Sequence, residues 1–187
     1  MAVRDFVHDE EIVDAVIAQL TVELPSAWTS GENPILRLKR LQFGDLRDYR
    51  LAAGEGWRTI CPAILVRLDR SDSAPQYGGL GGKEGQVVPL RLLYVCTRDQ
   101  CRDLDSPDKM VVPARARAQY AKTISKALFA NRDLGNPRLT TDDNSARVIE
   151  MRPRAIVYEA EKGDVALAAT QDLVALAIDF EVVARTQ

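Results

Sequence analysis

The sequence contains little of the side-chain chemistry that most enzymes use. It has one histidine, His8, and three cysteines among its 187 residues. A zinc site needs several Cys or His ligands, and a catalytic triad needs a nucleophile and an orienting acid beside the imidazole. No recognisable spacing supplies either set around His8. The sequence therefore predicts a protein that is not an enzyme, with no cofactor and no metal site.

The cysteines Cys61, Cys96 and Cys101 do not form a redox or metal-binding motif. Three thiols cannot all pair, and Cys96 and Cys101 are five positions apart rather than in a Cys-x-x-Cys arrangement. Two of them lie in strand-like runs, where a small apolar side chain is sufficient. We expect all three to be free thiols.

Long hydrophobic runs and a charge excess are also missing. No run reaches the roughly 18 apolar residues of a membrane span, and the start MAVRDFVHDEE lacks the apolar stretch of a signal peptide. The 25 basic and 27 acidic residues give a net charge of −2, which argues against coating nucleic acid through bulk charge. We expect cytoplasmic synthesis and no membrane partner.

What is present is enough apolar sequence for one folded domain. Hydrophobic residues make up 46% of the chain, and the length predicts a single domain over residues 1–187. Apolar spacing of one, three and four residues predicts helices at 9–24 and 114–131, and Pro113 suits a first helical turn. Alternating or continuous apolar runs predict strands at 35–43, 60–68, 87–97, 147–160 and 174–184. The predicted fold is α+β, a mainly antiparallel sheet of about four to five strands flanked by two main helices.

Residues 69–86 are rich in glycine and are predicted to be the flexible, oversized loop of a hairpin. A phosphate-binding loop is the alternative, but Tyr77 stands where a Walker motif needs glycine and Glu84 where it needs Ser or Thr. We therefore expect a loop that becomes ordered on a partner. Its candidate interface residues are Gly78, Gly79, Gly81, Gly82 and Lys83.

The second predicted helix carries a basic surface that includes Arg115, Lys122 and Lys126. Such a surface could contact DNA, RNA or an acidic protein, or it could simply face solvent. Acidic residues are also clustered in the sequence, and they could act in acid–base catalysis or hold magnesium, although acids in turns usually face solvent. These clusters are Asp142-Asp143 and the group Asp99, Asp103 and Asp105. The segment 26–57 has no assigned role and contains Trp28 and Trp57. These tryptophans could be either interface anchors or core residues.

Five segments together resemble the tail terminator, or tail completion, proteins of long-tailed bacteriophages, including the minor tail proteins of Mu-like phages. They are EEIVDAVIAQLTVELP, CPAILVRLDR, QVVPLRLLYVCTRD, ARAQYAKTISKALFAN and LVALAIDFEVVAR. The resemblance covers most of the chain and consists of patterns rather than invariant motifs.

The resemblance implies a small protomer that closes into a homohexameric ring on the last ring of the tail tube. Such a ring ends tail polymerisation and joins the head-side connector. Its partners would be further copies of itself, the tail tube, the sheath and the connector, with DNA only as passing cargo. The protein would reside in the tail or neck of the virion after assembly in the host cytoplasm. We expect Asp179 and Glu181 to face a neighbour or solvent. A head-completion (neck) protein and a nucleic-acid-binding module remain alternatives.

Overall fold

A computed structural model of the chain describes residues 9–24, 38–46, 56–69, 76–80, 83–106, 108–135, 137–140, 145–158, 165–166, 168 and 172–186. The described residues include the helices α1 (Asp9–Glu23) and α2 (Pro113–Leu128) and a sheet. The strands are β1 (Arg40–Phe43), β2 (Ala63–Leu68), β3 (Gln76–Leu80), β4 (Lys83–Thr97), β5 (Arg138–Thr140), β6 (Ser145–Val157) and β7 (Leu173–Thr186). The predicted α+β class is confirmed.

The sheet has seven strands in the order β1-β2-β4-β7-β6-β5, and β3 pairs with β4 beside that row. Only β1 and β2 run parallel; the other pairings are antiparallel. The longest ladder joins β4 and β7, from Gly85 opposite Arg185 to Thr97 opposite Leu173. One side of β4 pairs with β7. β2 and β3 pair with different parts of β4 and both lie on its other side.

Both helices cover one face of the sheet. Ile12, Val16 and Leu20 of α1 are fully buried there, and so are Tyr120 and Ile124 of α2. The even-numbered residues of β4 and β7, such as Leu92 and Phe180, form the sheet side of this core. The helix α2 begins at Pro113, where a missing N–H costs no helical hydrogen bond. Within the described ranges, no helix is long and apolar enough to cross a membrane.

The opposite face of the sheet is divided. At one end, small and apolar residues of β2, β4 and β7 form a second buried cluster with Leu46, Ile60 and Cys61, and Trp57 packs against it. Further along the same face, the odd-numbered positions of the strands become charged, beginning with Arg67, Arg91 and Asp179. We call this charged part, which includes Arg67, Arg91 and Asp179, the arginine face.

The glycine-rich segment is not an irregular loop throughout, so that prediction was wrong. Gln76–Leu80 forms β3, and β4 begins at Lys83 rather than Val87, with Gly78 opposite Gly85. A β-ladder is made by backbone groups, so glycines weaken a strand without preventing it. Residues 70–75, Gly81 and Gly82 lie outside the described residues.

The second half of the sheet is less regular than the sequence pattern. The strand predicted over 147–160 is observed as β6 at Ser145–Val157, and β5 precedes it where no strand was predicted. Ile149 and Met151 would share a face in a regular strand, yet Met151 is fully buried and Ile149 is 44% exposed. The cause is two irregularities in the β6–β7 register, between Val148 and Glu150 and between Pro153 and Ala155. An extra residue at a bulge shifts the alternation of side chains.

Candidate assembly surfaces

The predicted interface residues fall on three separate surfaces. Gly78, Gly79 and Lys83 lie in the β3–β4 hairpin, Arg115, Lys122 and Lys126 lie on α2, and Asp179 and Glu181 lie on the arginine face. The helix and the arginine face are on opposite sides of the sheet. The structure therefore does not bring the predicted residues together into one site.

The hairpin offers an open strand edge. All five residues of β3 pair with β4, and within the described part of the chain nothing pairs with the outer edge of β3. Because Gly78 and Gly79 have no side chains, another backbone can approach this edge closely. Unpaired strand edges of this kind are templates for a further strand.

The β6 border of the sheet, in contrast, is obstructed. β5 covers only its first three residues, but the Met151 N–H donates to the Arg132 carbonyl oxygen at 2.6 Å. Pro153 has no N–H to offer, and the bulges twist the strand locally. Ile149 and Ile156 are exposed beside these features. This edge was not among the surfaces predicted from the sequence, although a proline inside a strand is a usual signal of an edge.

On α2, Arg115 is engaged within the protein. Its Nη2 lies 2.8 Å from Oδ2 of Asp103, a carboxylate whose side chain is only 5% exposed. Gln119 Nε2 donates to Asp103 Oδ1 at 3.0 Å, and the Asp105 N–H donates to the same oxygen at 3.1 Å. These hydrogen bonds, together with the charge of Arg115, lower the pKa of Asp103. This arrangement anchors the segment before α2 rather than presenting a free cation.

Lys122 and Lys126 are exposed and lie one turn apart on α2. They line a groove of about 440 Å³ together with Thr123, Ala127 and two acidic residues, Glu23 and Asp105. The groove thus has two basic and two acidic side chains. It is not the uniformly basic surface that the helix sequence alone suggested.

The arginine face is organised by cross-strand ion pairs. Arg91 and Asp179 are directly opposite each other, and the guanidinium binds both carboxylate oxygens, at 2.6 and 2.9 Å. Their side chains are only 18% and 13% exposed. Arg67 is the cross-strand neighbour of Arg91 on the other side and pairs with Asp45. Two adjacent arginines are therefore each neutralised by a separate carboxylate.

Glu181 is more accessible than Asp179. Its Oε1 lies 3.2 Å from Nε of Arg154, and the two side chains are 25% and 46% exposed. Glu150 and Arg152 form a similar exposed pair at 2.9 Å on β6. Asp179 and Glu181 lie on the face opposite the helices, and each has an arginine partner within the chain. The expectation that they face a neighbour stays a prediction.

Of the remaining candidates, the described residue Asp99 is engaged in an ion pair. Asp99 pairs with Arg58 at 2.6 Å, and its pKa is lowered by the Thr97 hydroxyl and by that guanidinium. Among the residues that the structure describes, no three His, Cys, Asp or Glu side chains could hold a metal ion. His8, Trp28, Asp142 and Asp143 lie outside those residues.

The three cysteines are free and buried. Burial raises the pKa of Cys61 to about 12. Cys96 and Cys101, in contrast, are close neighbours, with their sulfur atoms 4.0 Å apart.

Comparison with known proteins gives a distant structural likeness. No family model and no curated protein matches the sequence. Among solved structures, the chain is similar to one described as "Virion of native gene transfer agent (GTA) particle". The TM-score is 0.42 at 12% identity, over 93% of this chain and 94% of that chain.

Proposed function

We propose that this chain is a structural protein of a phage-like virion that caps the tail tube as a ring, ends tail polymerisation and joins the head-side connector. The proposal comes from the resemblance of five segments to tail terminator proteins. The structural observation that carries it is the open outer edge of β3 in the glycine-containing hairpin.

An open edge supports self-association because its N–H and C=O groups can accept a strand from another chain. The border that contains β1 and β3 differs from the one formed by β6 and β5. In the second, β6 has Pro153, two irregularities and a main-chain bond to Arg132. Contact between the β3 edge and a different surface of the next copy would be head-to-tail. Such contacts form a ring when the rotation between copies closes.

The acidic residues also favour a structural role. Asp45, Asp99, Asp103 and Asp179 each pair with a different arginine in the described part of the chain. A catalytic pair of carboxylates would instead share one site, where each shifts the pKa of the other. These acids hold loops and strands in place.

The first experiment measures assembly. Purified protein is examined by light scattering and negative-stain electron microscopy, alone and with preformed tail tubes. We expect a ring of about six times the 20.7 kDa monomer, free or seated on one end of the tube. Persistent monomers that leave tube ends uncapped would contradict the proposal.

A pair of variants tests the role of the β3 edge. Adjacent residues of a strand direct their amides to opposite sides. One of the two variants Gly78→Pro and Gly79→Pro therefore removes an amide that faces β4, and the other removes an amide that faces outward. Hydrogen exchange of β4 amides identifies the variant whose hairpin remains intact. That variant should lose the ring while keeping its fold; an unchanged ring would show that assembly does not use this edge.

A charge reversal separates the neighbouring function classes. The double variant Lys122→Glu, Lys126→Glu should keep the ring but weaken tube binding if the tube presents acidic groups to α2. Steep salt-dependent retardation of DNA, lost in this variant, would instead favour a nucleic-acid-binding module. Binding to isolated connectors without binding to tubes would favour the head-completion alternative.

A further inference from the structure

The thiols of Cys96 and Cys101 are brought together by a short turn at the end of the longest sheet strand. Cys96 lies in β4, and a 3₁₀ turn follows at Arg98–Gln100. The side chain of Gln100 accepts a hydrogen bond from the Thr97 N–H at 2.9 Å, and the Cys101 N–H donates to the Arg98 carbonyl at 3.2 Å. The turn thus folds Cys101 back beside Cys96, with 4.0 Å between the sulfurs.

Both residues are held firmly on either side of this turn. Cys96 is fully buried in the helix-side core, opposite Val174 of β7. Beyond Cys101, the Arg102 N–H donates to the Tyr120 hydroxyl at 2.9 Å, and the Val111 N–H donates to the Cys101 carbonyl at 3.2 Å. The short sulfur separation therefore results from contacts to two elements of the fold.

The two thiols differ in acidity. The pKa of Cys101 is lowered by a hydrogen bond from Cys96 and by the charges of Arg102, Arg117 and Arg98. The pKa of Cys96 is raised by its hydrogen bond with Cys101 and by burial. A cysteine with a lowered pKa beside a second thiol is the usual arrangement of a nucleophilic cysteine and its resolving partner.

We propose that Cys96 and Cys101 form a reversible intramolecular disulfide when the protein meets a small two-electron oxidant such as hydrogen peroxide. This inference is independent of the proposed function, since it depends only on the sulfur geometry. The product closes the turn between β4 and the segment that leads to α2.

The reaction balances with one peroxide. The Cys101 thiolate attacks a peroxide oxygen, the O–O bond breaks, and the departing hydroxide takes up a proton to become water. The sulfur of Cys96 then attacks the Cys101 sulfenic acid, so that the S–S bond forms and the S–O bond breaks. The second hydroxide leaves as water with the proton from Cys96. The two thiols lose two electrons, and one peroxide becomes two waters.

Access to the sulfurs sets the expected rate. Both cysteines are fully buried, so the oxidant must enter through local opening of the turn. Reaction should therefore be slower than that of an exposed thiol, and a small oxidant should act faster than a bulky one. Cys61 is an internal control, because burial raises its pKa to about 12 and leaves little thiolate.

The test counts free thiols. Reduced full-length protein is treated with hydrogen peroxide and denatured, and its free thiols are alkylated. Mass spectrometry then gives the number of alkylated thiols. We expect one alkylated thiol after oxidation instead of three, and a proteolytic fragment in which Cys96 and Cys101 are linked until a reductant is added. The melting temperature should rise on oxidation by about 5 °C, because the cross-link restricts the unfolded chain.

Matched variants assign the pair. Cys61→Ser should still form the bond, whereas Cys96→Ser and Cys101→Ser should not form it and should show no rise in melting temperature. Three alkylated thiols after oxidation, a bond that involves Cys61 or a second chain, or a sulfinic acid at Cys101 without a disulfide would overturn the proposal. Peptide mapping of the unmodified sequence decides the matter even if a serine variant folds poorly.

Discussion

The ion pair between Arg91 and Asp179 should be the most important polar contact of the arginine face. Replacing Asp179 by asparagine keeps the size of the side chain and removes its charge. The substitution leaves the Arg91 guanidinium largely out of water and next to Arg67 across the strands. Folding must then accommodate Arg91 without this carboxylate, beside Arg67, which pairs with Asp45.

The size of the effect follows from burial. Removing one partner from a fully buried pair costs about 3–5 kcal/mol, whereas an exposed pair contributes about 0–1 kcal/mol. With side chains 18% and 13% exposed, and with two hydrogen bonds between them, Arg91 and Asp179 are closer to the buried case. We expect Asp179→Asn to lower the free energy of unfolding by about 2–3 kcal/mol. The melting temperature should fall by about 5–10 °C.

Urea unfolding measures this loss, provided that the m value, the slope of the free energy of unfolding against urea concentration, is unchanged. Two variants serve as controls. Glu181→Gln, on the same face but in a more exposed pair, should cost less than about 1 kcal/mol. The double variant Arg91→Leu, Asp179→Leu should be less destabilised than Asp179→Asn, because it removes both charges of the pair rather than one. If Asp179→Asn costs no more than Glu181→Gln, the ion pair does not stabilise the sheet in the way argued.

Three further substitutions test the core and the segment before α2. Phe180→Ala should lower the free energy of unfolding by about 3–5 kcal/mol, because Phe180 is fully buried and its ring centroid lies 6.3 Å from that of Phe129. Chemical denaturation measures the loss, and a value below about 1 kcal/mol would contradict this packing. Tyr120→Phe should cost about 1–3 kcal/mol, because the Arg102 N–H loses its acceptor; an unchanged unfolding midpoint would show that the bond is dispensable. Asp103→Asn should be more destabilising at pH 7 than at pH 3. The pKa of Asp103 is lowered in the folded state, so its stabilisation is present above the unfolded-state pKa and is lost as the pH falls. An equal loss at both pH values would show that its charge is not involved.

Elements with one uninterrupted side-chain pattern could be predicted from the sequence. The helix predicted over 9–24 is observed at Asp9–Glu23, and the strand predicted over 174–184 lies within β7. In both, a single periodicity matches a single buried face. Glycine in β3 provides no side-chain pattern, and the irregularities in β6 shift the alternation midway. A count of apolar residues cannot detect either feature.

The candidate surfaces were harder to predict, because they depend on pairing between distant strands. The alternation in β7 was enough to place Asp179 and Glu181 away from the helix core. Their partners, Arg91 and Arg154, are set by the register with β4 and with β6. That register depends on sheet order, which no local pattern contains. For the same reason, the helix sequence showed Arg115 as a free cation when it is bound to Asp103.

The different borders of the sheet bear on how copies could associate. If both borders were open, edge-to-edge pairing could continue without limit, which is the usual hazard of exposed strands. Here Pro153 and the bond from Met151 to Arg132 make β6 a poor acceptor for another strand. A neighbour docked on β3 would therefore have to use some surface other than its own β6 edge. This requirement makes a closed assembly easier to reconcile with the fold than a growing sheet.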